Sequence, residues 1–218
     1  MQNWLYLYDR SFPVVLKDYL GEQEITITGC EIPISPSLEG RRDIRIPDLL
    51  VSRNSGRSLL IEMNGSAIDA QGKPPEFVLE VASPTTGRND YTVKRSDYER
   101  YGVQEYWRFD SSGGSYHDAA LAGYRLVNRR YEPIPIQWLD DNCSRGYSDA
   151  LGLYLCCDDG ELRWYNPTTG NYLQTYEKEV TRANRAEARA ARAETRANRA
   201  EAELRRLRRQ LADREPDN

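Results

Sequence analysis

Polar and apolar positions alternate with period two over much of the first three quarters of the chain, and the spacing changes to three and four after residue 176. PVVLKDYLGEQ fits a short helix ended by Gly21. EITITGCEIPI then alternates as a strand. SPSLEGRRD reads as a polar loop, IRIPDLLVSR as an apolar run of strand length around Pro47 and Asp48, SRNSGRS as a turn, and LLIEMNGSAI as a second strand. After the break at QGKPP, EFVLEVAS is a strongly apolar strand with one carboxylate, Glu80, embedded in it. SPTTGRND carries turn and N-cap chemistry. YTVKRSDYERYG predicts a helix with Gly102 at its C-terminal end. VQEYWRFD, SYHDAALAGYRLV and RYEPIPIQWL follow as strands, with SSGGS as a hairpin-like turn. LGLYLCCDDGELRWYNPTTGNYLQTY predicts three further strands separated by turns. The order predicts an α+β domain with a mixed sheet over residues 1–176.

Residues 177–214 carry a different pattern. With Arg182 at a heptad g position, the a positions are Ala183, Ala190, Ala197, Leu204 and Leu211, and the d positions Ala186, Ala193, Ala200, Leu207 and Arg214. An apolar seam sustained over more than four heptads predicts a coiled coil, with 215–218 as a disordered tail. In a parallel dimer each g residue faces the next e residue of the other chain. That pairs Arg182 with Glu187, Arg189 with Glu194, Arg196 with Glu201 and Glu203 with Arg208, all opposite in sign. A solitary helix would instead want opposite charges three or four residues apart, which Glu187 and Glu194 lack. The expectation is self-association through a parallel coil. Its Ala layers bury little apolar area, so the Leu layers contribute most. The arginines at c positions, Arg185, Arg192, Arg199 and Arg206, form either a stripe for nucleic-acid phosphate or, more plainly, a solvated face.

Composition sharpens this division. All 15 Tyr, 4 Trp and 3 Phe precede residue 177, so only the body can bury an aromatic core. The tail holds 12 basic against 9 acidic residues and the body 18 against 25, a net −7 for the body. That sign argues against a broadly basic phosphate-binding surface, though not against a local groove or a carboxylate metal site. No apolar run has membrane-spanning length, and MQNWLYLYDRSFP has neither a basic start nor a small-residue cleavage site. Cys30, Cys143, Cys156 and Cys157 show no CxxC spacing and read as reduced structural thiols in a cytoplasmic protein. His117 is the single histidine, which excludes His-rich zinc sites and leaves no nucleophile motif beside it; it reads as a surface or edge-strand residue.

Two carboxylates keep unusual company. Asp48 and Glu80 are each flanked by apolar strand residues on both sides. A charge there is costly unless it is paired, exposed at an edge or bound to a cation. Side by side they make a hard-oxygen site suited to Mg²⁺; the plainer alternative is that each faces solvent on the outer side of a sheet. Lys94 lies in a stripe of Tyr91, Tyr98 and Tyr101 on the following helix. It either snorkels along that face or aims its charge at the two carboxylates.

The strings PDLLV, PPEFVLEVASPTT and DYTVKRSDYERYGVQEYWRFD, followed by LGLYL and LRWYNPTTGNYL, are similar to the bacterial Uma-type restriction endonuclease family, within the PD-(D/E)XK nuclease superfamily. The resemblance runs from about Ile44 and extends to the Arg/Ala/Glu-rich C-terminal helix. It implies a restriction-endonuclease-like core, a mixed β-sheet flanked by helices. By the resemblance, Asp48 and Glu80 are metal ligands and catalytic residues, and Val81 lends its backbone carbonyl to the metal. The superfamily pattern places Lys at position 82, where this chain has Ala82; Lys94 on the helix matches the lysine that takes the role in the family. A further acidic residue from the N-terminal segment is implied, with Glu24, Glu31 and Glu22 as candidates. Ser83 reads as a helix N-cap.

The combined expectation is a homodimeric, Mg²⁺- or Mn²⁺-dependent endonuclease that hydrolyses DNA phosphodiester bonds by attack of a metal-activated water. The alternative is a non-catalytic nucleic-acid or protein binding module on the same fold. The enzyme reading requires Asp48, Glu80 and Lys94 to converge.

Overall fold

The structure, a computed structural model, describes residues 12–21, 26–29, 31–37, 43–84, 90–174, 181, 184, 187–189, 191–201 and 205 of the 218. The chain divides into two compact units, Met1–Leu173 and Gln174–Asn218. In the second unit 187–189 and 191–201 are helical; the rest of the heptad span falls mostly outside the described residues, as does the 215–218 tail.

The first unit opens with helix α1, Phe12–Leu20, which buries Phe12, Val15 and Leu16 at helical spacing. Gly21 ends it with φ +78°, a left-handed conformation that a side chain would resist. Six strands then form a mixed sheet: β1 (Thr26–Gly29), β3 (Leu49–Arg53), β5 (Phe77–Val81), β6 (Glu105–Phe109), β7 (Leu121–Val127) and β8 (Arg130–Pro133). They lie in that spatial order, with β5–β6 as the parallel pair and the other neighbours antiparallel. A parallel pair needs a crossover, supplied here by a π-helical turn, Asp90–Lys94, running into the helix α4, Arg95–Tyr101. Short strands β2 (Ile34–Ser35) and β4 (Ser66–Ala67) pair in parallel beside helices α2 (Arg57–Met63) and α3 (Ile68–Gln71).

Alternation along β5 divides its side chains between two cores. Phe77, Leu79 and Val81 join Trp107, Phe109 and α1 in one cluster, closed by a second, five-stranded antiparallel sheet. That sheet comprises β9 (Ile136–Trp138), β10 (Cys143–Ser148), β11 (Leu153–Asp158), β12 (Glu161–Asn166) and β13 (Asn171–Tyr172). On the other face Val78 meets Tyr98 and Tyr101 of α4, with Tyr106, Tyr131, Leu50 and Ile34. The domain is therefore α+β with a mixed sheet, but helices cover one face and a second sheet covers most of the other.

Trp107 links the two sheets. A Cβ added at Gly123 of β7 or Gly146 of β10 would lie 2.7 Å or 2.6 Å from its ring, so two glycines, one from each sheet, make room for the indole. Its Nε1–H donates to Glu105 Oε2 at 3.0 Å. The buried Glu105 also accepts from Ser148 Oγ and from the Asp149 and Ala150 amides, and so ties β6 to the β10–β11 turn.

Several sequence expectations change. LLIEMNGSAI is α2 followed by β4, not a strand: Asn64, in left-handed conformation, closes the helix, and Leu60 turns to the Tyr98 cluster while Ile61 is exposed. SYHDAALAGYRLV forms a strand only from Leu121. His117 is buried, not on the surface, and its amide donates to Asp110. RYEPIPIQWL divides between the two sheets. Cys143, Cys156 and Cys157 are free and buried, with burial pushing each thiol pKa up; Cys30 lies outside the described side chains. No helix among the described residues is long and apolar enough to cross a membrane.

Replacing Gly123 or Gly146 with Ala should overpack Trp107 and lower stability by about 1–3 kcal/mol, measured by urea unfolding. Asp110 accepts from Ser112, Tyr116 and His117 within 2.8 Å. Burial pushes its pKa up, but these hydrogen bonds prevail and hold it below the ordinary carboxylate value. Its contribution is thus present above that ordinary value and is lost as pH falls through the lowered one. Asp110→Asn should lower stability at neutral pH and flatten the acid limb of a pH–stability profile followed by thermal unfolding.

Candidate active site

Glu80 occupies the next-to-last position of β5, on the face turned to α4. Leu49 pairs with Leu79 and Leu50 with Val78, so one further step in the register sets Asp48 opposite Glu80. The β3–β5 ladder stops short of this step, and Asp48 Oδ2 accepts from the Val81 amide at 2.6 Å in its place. Both carboxylates are buried, Asp48 at 7% and Glu80 at 1% exposure, so neither is a solvent-facing strand residue.

A helix delivers the compensating charge. Lys94 ends the π-turn and lies one turn before Tyr98 on the continuing helix. Its Nζ is 2.8 Å from Glu80 Oε2, and the Tyr98 hydroxyl donates to Glu80 Oε1 at 2.7 Å. One helix face thus clamps both oxygens of the buried carboxylate. Burial raises the Tyr98 pKa well above its ordinary value, and the charges of Glu80 and Asp48 raise it further, so its hydroxyl stays protonated as a donor. Lys94 therefore turns into Glu80. Ala82, where the superfamily pattern has Lys, is fully buried and donates its amide to the Phe109 carbonyl. A long charged side chain there would have to displace core.

Two residues of this cluster escaped the sequence reading. Tyr98 was legible as part of an apolar stripe, but nothing in that spacing separates a core tyrosine from a carboxylate donor. Arg108 lies beside Glu80 in the parallel β5–β6 register and is fully buried. Its guanidinium reaches Asp118 Oδ1 at 2.8 Å and the Tyr124 hydroxyl at 3.1 Å. Asp48 just before β3, Glu80 on β5 and Arg108 on β6 thus follow one another across the sheet, an order that requires knowing which strands are neighbours.

No other candidate among the described residues is brought to this cluster. Among the described residues no group of three or more His, Cys, Asp or Glu side chains is placed to hold a metal ion. Glu31 is exposed, although its amide donates to the Pro47 carbonyl next to Asp48. Glu22 and Glu24 lie outside the described residues, as do 85–89 beyond Ser83. Asp48 and Glu80 are oxygen donors of the kind that Mg²⁺ takes, an ion commonly held by one or two carboxylates with water and substrate phosphate completing its shell.

Comparison with known proteins bears on the same segment. No curated protein matches. A solved structure from Anabaena variabilis ATCC 29413, described as a "putative nuclease belonging to DUF820", matches at 16% identity with a TM-score of 0.37, covering 59% of this chain and 67% of that one. This likeness is too distant to carry an argument. The model of the Uma2 family, described as "Putative restriction endonuclease", matches residues 12–146, more than half of the chain. That span includes Asp48, Glu80, Lys94, Tyr98 and Arg108, and the chain belongs to the Uma2 family.

Proposed function

We propose that this protein is an endonuclease that hydrolyses DNA phosphodiester bonds with Mg²⁺ or Mn²⁺. Asp48, Glu80 and the Val81 carbonyl are the proposed metal ligands, and Lys94 is the assisting cation. The observation that carries the reading is the 2.8 Å approach of Lys94 to Glu80 in a chain with Ala82 at the motif position. Family membership supports the nuclease chemistry.

A divalent ion bound there supplies Lewis acidity toward the phosphate and favours deprotonation of water. The protein's part is to hold oxygen donors at one spot. The Val81 amide fixes Asp48, and Tyr98 and Lys94 orient Glu80, so little reorganisation is left for the reacting complex. Lys94, about a fifth exposed, keeps its ammonium at the border between buried carboxylate and solvent. From there it donates to an attacking water or to a phosphoryl oxygen as negative charge develops.

A binding module on the same fold is the second reading. It is favoured by the body's net charge of −7 and by the engagement of both Glu80 oxygens by Lys94 and Tyr98, which a purely structural ion pair would also show. The tail is proposed to join two copies through its parallel g–e′ pairs.

Plasmid nicking with Mg²⁺ or Mn²⁺ separates the two readings. The wild type should nick, EDTA should abolish nicking, and Asp48→Ala or Lys94→Ala should slow it by roughly 10²–10³-fold. Equal rates in all three proteins would remove the site assignment, and an inert wild type would favour the binding module. For the coil, light scattering should give a dimer. Changing Glu187, Glu194 and Glu201 to Arg should dissociate it, and adding Arg182→Glu, Arg189→Glu and Arg196→Glu should restore it; a dimer indifferent to both sets would place its interface elsewhere.

A further inference from the structure

A groove of about 500 Å³ lies on the α4 side of the sheet, lined by Thr92, Arg95, Ser96, Glu99, Arg130 and Tyr131. Its residues come from the π-turn, α4 and the start of β8. Arg95 follows Lys94 directly but takes a different direction: its guanidinium stacks on the Tyr124 ring, 4.5 Å from the centroid. Among the described residues no carboxylate stands within ion-pairing distance of Arg95. A half-buried guanidinium held by stacking, whose charge acts on Glu99 across the groove without closing an ion pair, is a pre-positioned anion contact. Arg130 stands on the other wall, mostly exposed, with Arg129 beside it at the β7–β8 turn. The groove's own carboxylate, Glu99, is already engaged by Arg130 at 3.0 Å and by the Tyr131 amide at 2.6 Å.

The position connects this groove to the candidate site. Glu80 is on β5, Arg108 on β6, Tyr124 with Arg95 over it on β7, and Arg130 on β8. Three strand spacings of about 4.8 Å separate β5 from β8, and Arg130, paired with Val127, lies five residues along from the Glu80–Arg108–Ala122 row, so the two ends stand roughly 20 Å apart. One DNA strand presents a phosphate about every 3.4 Å along the helix axis, so about six phosphates cover that span. The donors are guanidiniums and hydroxyls, which suit phosphate oxygens. The aromatic surface beneath is covered, with Tyr124 under Arg95 and Tyr131 buried, so no ring is offered for a base to stack on.

We infer that this groove binds the sugar–phosphate backbone of duplex DNA next to the candidate active site, with Arg95 and Arg130 as the phosphate contacts. The inference rests on the nuclease reading for its substrate, but its test does not depend on cleavage. The full chain is titrated against fluorescein-labelled duplex DNA of arbitrary sequence in EDTA, by anisotropy at several salt concentrations. Arg95→Ala with Arg130→Ala should weaken binding about tenfold or more. It should also reduce the slope of log affinity against log salt by about two, one for each lost phosphate contact. Arg163→Ala on the second sheet should change neither. Glu99→Gln removes the groove's negative charge while keeping an acceptor for the Tyr131 amide, and should tighten binding about threefold. A misfolded variant would not produce that gain.

Wild-type affinity matched by the double variant, no gain in Glu99→Gln, or no wild-type binding would each overturn the inference. So would displacement of the duplex by millimolar inorganic phosphate at constant ionic strength, since a backbone track is not emptied by one anion. Should the double variant lose binding while the wild type never nicks plasmid, the groove stands and the nuclease reading fails. If plasmid is nicked and DNA affinity is unmoved, the reverse holds.

Discussion

A carboxylate buried in the middle of a sheet is the constraint around which this domain is organised. Glu80 is 1% exposed, and an ion so placed is tolerated only with donors on its oxygens and opposite charge nearby. Both requirements are met from α4, by Lys94 and Tyr98. The helix is there because β5 and β6 are parallel and their connection must cross the sheet face. Strand order, crossover helix and site chemistry are thus one arrangement. Removing the lysine alone leaves a buried carboxylate without the cation that faces it, which is why Lys94 bears on folding as well as on any reaction.

The opposite face supplies the rigidity such a site needs. Phe77, Leu79 and Val81 alternate with Val78 and Glu80, so the strand that presents the carboxylate is anchored by its other side in the inter-sheet core. Trp107 and Glu105 hold that core together, the indole filling space left by Gly123 and Gly146 and the carboxylate capping the β10–β11 turn. A second buried carboxylate therefore has a structural occupation. Glu105 is held by Trp107, Ser148 and the Asp149 and Ala150 amides, with Arg125 at 3.7 Å, and these partners tie two sheets together, whereas Lys94 approaches Glu80 at 2.8 Å from the solvent border. Burial of a carboxylate alone does not mark a site; the direction its partners open toward does.

A lysine delivered from the π-turn makes different demands on the chain from one at position 82. At position 82 a lysine would have to leave a fully buried strand end. From the π-turn, a flexible stem reaches Glu80 from above while the neighbouring Arg95 turns toward the β7–β8 edge. Two consecutive cations thus face two regions, one Glu80 and the other a groove.

Much of this was legible in the residues. The FVLEV alternation placed Glu80 on a strand, the Tyr/Lys spacing put Lys94 and Tyr98 on one helix face, and the PDLLV and EVASP strings identified the family. LLIEMNGSAI misled because a short apolar run satisfies both periods, and only its docking below the Tyr98 cluster selects the helix. Four strands of the second sheet were visible but β10 was not read as one, and none was visible as a separate layer, because alternation reveals which side of a strand is apolar without revealing what covers it. The sequence by itself determined the types of most elements and the two carboxylates as anomalies, since local spacing and the cost of a charge among apolar neighbours are properties of the chain. Only the tertiary structure decided that Asp48, Glu80 and Arg108 come to lie side by side across the sheet, that Lys94 points inward and that His117 is buried. Register and neighbour choice are long-range pairings, set by which surfaces bury each other and not by any one segment.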